Sequence, residues 1–178
     1  MTERILYAWV HLSDIHFGHG DPDWREDQRD VVDKLITDIR EALDAADVDS
    51  PDALIITGDI AFSGKDKEFL YAEDLIRQIR DISGGDPRIY TVAGNHDVVR
   101  TAGDNLSEMR LVEGLRSGRD KLADVLTHGP DLDALEGRFA PYQKFCERVG
   151  SPVSIANAWV DSVELSNGVI LRFVGWNS

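Results

Sequence analysis

Two periodicities alternate along this chain. Ile5 to Leu12 is an apolar run, the pattern of a strand buried on both faces of a sheet. A polar loop broken by Gly18 and Gly20 comes next. A helix is then predicted from about Trp24 to Ala46, because Val31, Leu35, Ile39 and Leu43 recur every four residues, flanked by Val32 and Ile36. Asp49-Ser50-Pro51-Asp52 ends it, and the unit repeats. Ala53 to Thr57 reads as a strand, Gly58 to Lys65 as a loop, and Asp66 to Ile82 as a helix with Ala72, Leu75, Ile76, Ile79 and Ile82 on one face. Ser83-Gly84-Gly85-Asp86-Pro87 is a strong stop before a third strand, Ile89 to Ala93. Strand–helix–strand–helix–strand predicts an α/β fold whose parallel strands are joined by right-handed crossovers.

The pattern changes after Asp97. Asn105 to Thr127 and Asp131 to Val149 read as two more polar helices, interrupted by Gly114, Gly118 and Gly129-Pro130. They form a helical excursion over about residues 101–150. Ala158 to Leu165 and Val169 to Trp176 then read as strands of a hairpin turning at Ser166-Asn167-Gly168. Trp9, Trp159 and Trp176 fall in strand patterns and are expected in the core. No internal repeat or linker divides residues 1–178, so one domain is expected.

Composition narrows the chemistry. The formal charge is −14, from 19 Lys and Arg against 33 Asp and Glu. Broad duplex nucleic-acid binding needs a basic face, so this balance disfavours it. A small phosphoester remains compatible, because bound divalent ions invert the local field. The lone cysteine, Cys146, rules out an internal disulfide and a multi-thiolate zinc site. With Phe145 and Val149 beside it, a buried helical thiol is expected. The apolar runs are far shorter than the roughly 20 residues of a membrane span. The N-terminus lacks a cleavable signal pattern, so a cytoplasmic protein without membrane partners is expected. Asp44 to Asp52 reads as a solvated helix end and turn.

Three short clusters carry the chemistry: Asp14-Ile15-His16, Gly58-Asp59 and Gly94-Asn95-His96-Asp97. Each comes directly after one of the three strand runs, so a parallel sheet brings all of them to its carboxyl edge, where open α/β sheets place ligands. Oxygen and nitrogen donors without thiolate suit hard or borderline metal ions. Asp14 and His16 offer an oxygen and a nitrogen ligand. Asp59 has two oxygens and can bridge two ions, and Gly58 lets the backbone approach closely. Asn95 offers a carbonyl oxygen to the second ion. Two ions roughly 3.5–4 Å apart can clamp a phosphoryl group and activate a bridging hydroxide. His96 is placed as general acid for the leaving alkoxide, and Asp97 as the group that holds its ring.

These stretches, extended as His11-Leu12-Ser13-Asp14-Ile15-His16-Phe17-Gly18, Thr57-Gly58-Asp59-Ile60 and Gly94-Asn95-His96-Asp97, resemble the calcineurin-like metallophosphoesterases over roughly residues 5 to 100. Val174-Gly175-Trp176-Asn177-Ser178 is similar to a later strand of that family and its exit. The resemblance implies a four-layer α-β-β-α sandwich and two divalent ions, commonly manganese, iron or zinc. By position, Asp14, His16 and Asp59 would hold the first ion, Asp59 and Asn95 the second, and His96 would protonate the leaving group.

The departures shape the expectation. The family completes its site with a further histidine and a Gly-His-x-His motif, and the latter is absent after Asp97. The one later histidine, His128, sits where Leu115, Leu122 and Leu126 keep helical spacing, so an exposed helix-end residue is favoured over a ligand. The C-terminal part of the sandwich, with the remaining ligands, is therefore expected to be missing from this chain, and a further C-terminal segment to supply it. Gly58-Asp59 is not followed by Asp-Arg-Gly, and Asp97 replaces a glutamate. Both features lean away from protein serine/threonine phosphatases and toward phosphodiesterase and nuclease-like branches. A metal-dependent phosphoester hydrolase acting on a phosphodiester, nucleotide or nucleic-acid end is the favoured reading. A phosphomonoesterase and a non-catalytic binding or sensor module are the alternatives. His19 and Arg100 are candidates for substrate phosphate, Trp24 for stacking a base, and His11 for the core or for support of a ligand.

Overall fold

The computed structural model describes residues 5–20, 24–99, 106–125, 127–153 and 158–176. Arg100, Leu126, Asn177, Ser178 and the side chain of Trp24 lie outside the described residues. The first half keeps the alternating pattern. β1 (Trp9–Leu12), α1 (Trp24–Ala45), β2 (Ala53–Thr57), α2 (Asp66–Ser83) and β3 (Arg88–Val92) alternate. The strands form a parallel sheet in the order β1-β2-β3. Val10 pairs with Leu54 and Ile56 with Thr91, so the three carboxyl ends finish at one edge.

Successive strand residues point to opposite faces, and the two faces have different partners. Leu54, Ile56 and Ile89 join Phe69, Ala72, Leu75, Ile76 and Ile79 of α2 and Ile39 of α1 in the core. Each fully buried Leu, Ile or Phe of this kind contributes about 1.5–3 kcal/mol relative to exposure. The helix that completes the layer is α6 (Ala140–Val149), which buries Tyr142, Phe145, Cys146 and Val149. Its Tyr142 hydroxyl and Cys146 thiol meet Thr91 Oγ1 of β3 at 2.8 and 3.3 Å. Burial pushes that thiol above its ordinary pKa, which suits an inert core cysteine.

The opposite face carries a hairpin, β4 (Ala158–Glu164) and β5 (Ile170–Trp176), antiparallel and closed by a turn with Gly168 at φ +78°. Tyr90 stacks on Trp159 and Phe173 with centroids 5.3 and 4.6 Å apart. The Trp159 indole N–H donates to the Thr91 carbonyl at 2.9 Å, and the Tyr90 hydroxyl donates to Asp161 at 2.7 Å.

Several expectations change. β1 begins at Trp9 rather than Ile5. Trp9 is 56% exposed and Trp176 is 74% exposed, because one lies on an edge strand and the other on the outward face of the hairpin. His11 is exposed as well, with Nε2 against Thr57 Oγ1 at 2.8 Å. Among the described residues the excursion comprises four helices rather than two: α3 (Leu106–Arg116), α4 (Leu122–Val125), α5 (Gly129–Gly137) and α6. Gly118 in left-handed conformation and the Gly129-Pro130 start of α5 supply the breaks. The remaining boundaries agree to within one or two residues.

Asp161 ties the hairpin to β3. The Tyr90 hydroxyl, with Arg88 beyond it, holds the Asp161 carboxyl below its ordinary value of 3.8. The unfolded chain then takes up the proton first, so this contribution is full above about 3.8 and is lost as pH falls through the lower folded value. The site is solvent-facing, so the effect is at most about 1 kcal/mol. Urea unfolding at pH 6 and pH 3 should show a smaller loss in Asp161→Asn than in the unsubstituted protein. Equal losses would remove Asp161 from the account.

Candidate metal centre

The segments leaving β1 and β2 continue side by side past the ends of their strands. Asp14 N–H donates to the Gly58 carbonyl at 3.2 Å, His16 N–H to that of Asp59 at 2.9 Å, and Phe17 N–H to that of Ile60 at 2.8 Å. Asp14, His16 and Asp59 all adopt positive φ, between 51° and 55°. Asp and His enter this region more readily than most residues, yet each instance carries strain. The kinks take these residues out of the strand alternation, and the His16 and Asp59 side chains turn toward one place.

Two carboxylates, Asp97 of the third loop and Asp59 of the second, lock these loops together. Asp97 has no exposed surface, and its two oxygens accept the N–H groups of Ala61 and Gly94 at 2.7 and 2.8 Å. Burial, reinforced by the nearby Asp59 charge and opposed by these backbone hydrogen bonds, pushes the Asp97 carboxyl up to about 6. Asp59 Oδ1 accepts the His96 N–H at 2.9 Å. Gly58 and Gly94 permit this contact: a Cβ at Gly94 would overlap the Asp59 carboxylate, and one at Gly58 would press on the Gly94 backbone at 3.0 Å.

His16, Asp59 and His96 converge, each offering one ligand atom within 4.8 Å of the others. The His16 and His96 rings meet edge to face at 4.7 Å, and His16 Nε2 stands 3.9 Å from Asp59 Oδ2. His96 Nδ1 lies 2.7 Å from the Phe62 carbonyl oxygen. The ring is thus oriented by Phe62, while the Asp97 carboxylate is engaged by backbone amides. This corrects the expectation that Asp97 holds the ring.

The other expected residues divide. Asp14 sits beside the site through its bond to Gly58, but its exposed carboxylate is outside the converging group. Asn95 is exposed and lines a cavity with Val98, Arg116 and Arg138. His19 lies at the rim, its ring edge-on to Phe62 at 4.7 Å. His128 is a surface residue at the junction of α4 and α5, 2.9 Å from Asp131. It does not join the converging group.

Two residues escaped the sequence reading. Phe62 supplies the carbonyl to His96 and stacks on its ring at 5.4 Å, and a backbone carbonyl leaves no mark in a sequence. Glu68 is 4% exposed and accepts the N–H groups of Ser63 and Lys65 at 2.9 and 3.2 Å. Its position in the first turn of α2 was the available signal.

These residues fit a divalent cation. The donors are nitrogen and oxygen, and His16 Nδ1 is buried without a hydrogen-bond partner, as an unused ligand atom would be. Among the described residues no lysine or arginine pairs with Asp14, Asp59 or Asp97.

The family model for calcineurin-like phosphoesterase matches residues 9–171. The chain belongs to that family. No curated protein matches it. A calcineurin-like phosphoesterase hydrolyses phosphoesters with divalent metal ions, and His16, Asp59 and His96 of this phosphoesterase lie close enough together to hold one. Among the described residues of the phosphoesterase, no helix is long and apolar enough to cross a membrane.

Gly94→Ala tests the tight apposition of the second and third loops. It should lower stability by about 1–3 kcal/mol and weaken manganese binding at least tenfold, read by urea unfolding and calorimetric titration. Gly129→Ala, where a Cβ meets open space, should change neither. Normal metal binding in Gly94→Ala would contradict the geometry.

Proposed function

We propose that this phosphoesterase cleaves phosphodiesters, with a nucleotide or a nucleic-acid end as the substrate class, at a two-ion centre. The observation that carries the reading is the convergence of His16, Asp59 and His96 at the carboxyl edge of the parallel sheet. Asp14, His16 and Asp59 would hold one ion and Asp59 and Asn95 the other, with manganese, iron or zinc suited to these donors. When bound, two such ions supply Lewis-acid polarisation of the phosphoryl oxygens and lower the pKa of an attacking water.

The chain's own residues supply position and a proton. A carbonyl oxygen only accepts hydrogen bonds, so His96 Nδ1 keeps its hydrogen toward Phe62 in both protonation states. The exchangeable proton therefore resides on Nε2, and the imidazolium form can pass it to the leaving alkoxide. Stacking on Phe62 and the backbone bond to Asp59 keep the ring from swinging away. Asp97 contributes indirectly, by fixing the loop from which His96 projects. The four-layer α-β-β-α reading of the fold is supported by Val160, Ile170, Val174 and Trp176, exposed on the outer face of the hairpin. A further helical layer would cover that surface.

A leaving-group comparison tests the role of His96. With manganese, the protein should hydrolyse bis-p-nitrophenyl phosphate, and Asp59→Asn should lose most of that turnover. His96→Gln should lose about 10²–10⁴-fold in kcat on a thymidine dinucleotide, whose alkoxide needs a proton. The loss on bis-p-nitrophenyl phosphate should be below about tenfold, because p-nitrophenolate departs unaided. Manganese-independent turnover, or equal losses on both substrates, would overturn the proposal.

A further inference from the structure

The peptide unit that joins Phe62 to Ser63 is held at both ends. Its carbonyl oxygen lies 2.7 Å from His96 Nδ1. Its N–H, the Ser63 amide, donates to Glu68 Oε2 at 2.9 Å. The C=O and N–H of one planar trans unit point in opposite directions, so a carboxylate and an imidazole are linked through a single peptide. The Ser63 hydroxyl donates to the other Glu68 oxygen, Oε1, at 2.5 Å, and Lys65 N–H donates to Oε2 at 3.2 Å.

The Lys65 bond is what a glutamate in the first turn of α2 does to cap its helix. The Ser63 bonds reach two residues farther back, and capping does not call for them. Glu68 is buried, and among the described residues no lysine or arginine pairs with it. A carboxylate so far from water needs hydrogen-bond donors, and three converge on it. The packing fixes this arrangement. A Cβ at Gly18 would stand 2.9 Å from Glu68 Cγ, and one at Gly64 would stand 2.6 Å from the Val98 carbonyl carbon. The first loop therefore closes on Glu68, and the third closes on the segment that carries Ser63.

We propose that Glu68 is a positioning residue for His96, acting through the Phe62–Ser63 peptide. The inference rests on the reading of His96 as the acid and specifies what holds it ready. Linked hydrogen bonds polarise one another, each strengthening the next by about 10–30%. The charge of Glu68 at the amide end thus makes the Phe62 carbonyl a stronger acceptor. That acceptor keeps a hydrogen on His96 Nδ1 and leaves Nε2 to carry the proton that is passed on. A carboxylate in direct contact with a catalytic imidazole fixes its tautomer in the same way. Here the peptide does so without placing another negative charge against the ring.

Two measurements test it. The first needs no metal. In EDTA at alkaline pH, where an imidazole is neutral, ring ¹⁵N signals should place the His96 hydrogen on Nδ1. Glu68→Gln, which keeps the size and removes the charge, should raise the Nε2–H form at least about threefold. In the unsubstituted ¹³C,¹⁵N-labelled protein, a coupling across the hydrogen bond should link Ser63 N–H to the Glu68 carboxyl carbon, a reading that holds even where Glu68→Gln fails to fold. The second measurement is turnover with manganese. Glu68→Gln should lower kcat on the thymidine dinucleotide at least about tenfold with KM nearly unchanged, and lower it less than about threefold on bis-p-nitrophenyl phosphate. Adding Glu68→Gln to His96→Gln should cost nothing further on the dinucleotide, because both act on one proton. An unchanged tautomer in Glu68→Gln, a missing Ser63–Glu68 coupling, or equal losses on the two esters would each overturn the role of Glu68. Absence of turnover in the unsubstituted protein, with the coupling and the tautomer shift both present, would instead sink the hydrolase reading, so the two failures are distinguishable.

Discussion

A carboxyl group with no access to solvent holds the centre of this molecule together. Asp97 accepts one backbone amide from the segment after β2 and one from the segment after β3, and so helps to join two loops that also meet through the Asp59–His96 and Phe62–His96 hydrogen bonds. Hydrogen bonds to a carboxylate are worth about 1.5–3 kcal/mol each, enough to offset strain of about 1–3 kcal/mol at a left-handed residue such as Asp59. Once the loops are joined, Gly94 lies against Asp59, the Asp59 carboxylate takes the His96 amide, and the His96 ring falls onto Phe62. The converging groups are therefore placed by backbone geometry as well as by side-chain rotation.

Charge fits the same arrangement. The strand ends gather carboxylates with no arginine or lysine partner among the described residues, which suits cations. A phosphoester hydrolase needs positive charge on the reacting phosphoryl group, and divalent ions supply it when bound. An overall charge of −14 does not conflict with that task, since the fields that matter act over a few ångströms in a partly enclosed site.

Much of this arrangement was legible in the residues, for identifiable reasons. β2, β3 and α2 were found nearly to the residue because burial on both faces gives an uninterrupted apolar run, and because Gly84-Gly85 ends the helix sharply. His16, Asp59 and His96 were found because parallel strands deliver the loops at their carboxyl ends to one edge. The misses share a cause as well. Trp9 and Trp176 alternate correctly within their strands, but alternation says which face a residue takes and not whether that face is covered. The role given to Asp97 failed because its neighbour in sequence, His96, was the obvious partner. Its actual partners, the amides of Ala61 and Gly94, carry no side-chain signature. Arg116 and Arg138 stand 22 positions apart, and only the packing of the helical excursion brings them to one cavity.

The central claim is that the three strand-end loops build one cation site, and anomalous diffraction from crystals grown with manganese tests it most directly. The account predicts a manganese peak within bonding distance of His16 and Asp59, with the Asp59 carboxylate contacting any second ion. Manganese confined to the acidic surface, with His16 and Asp59 uncoordinated, would contradict it.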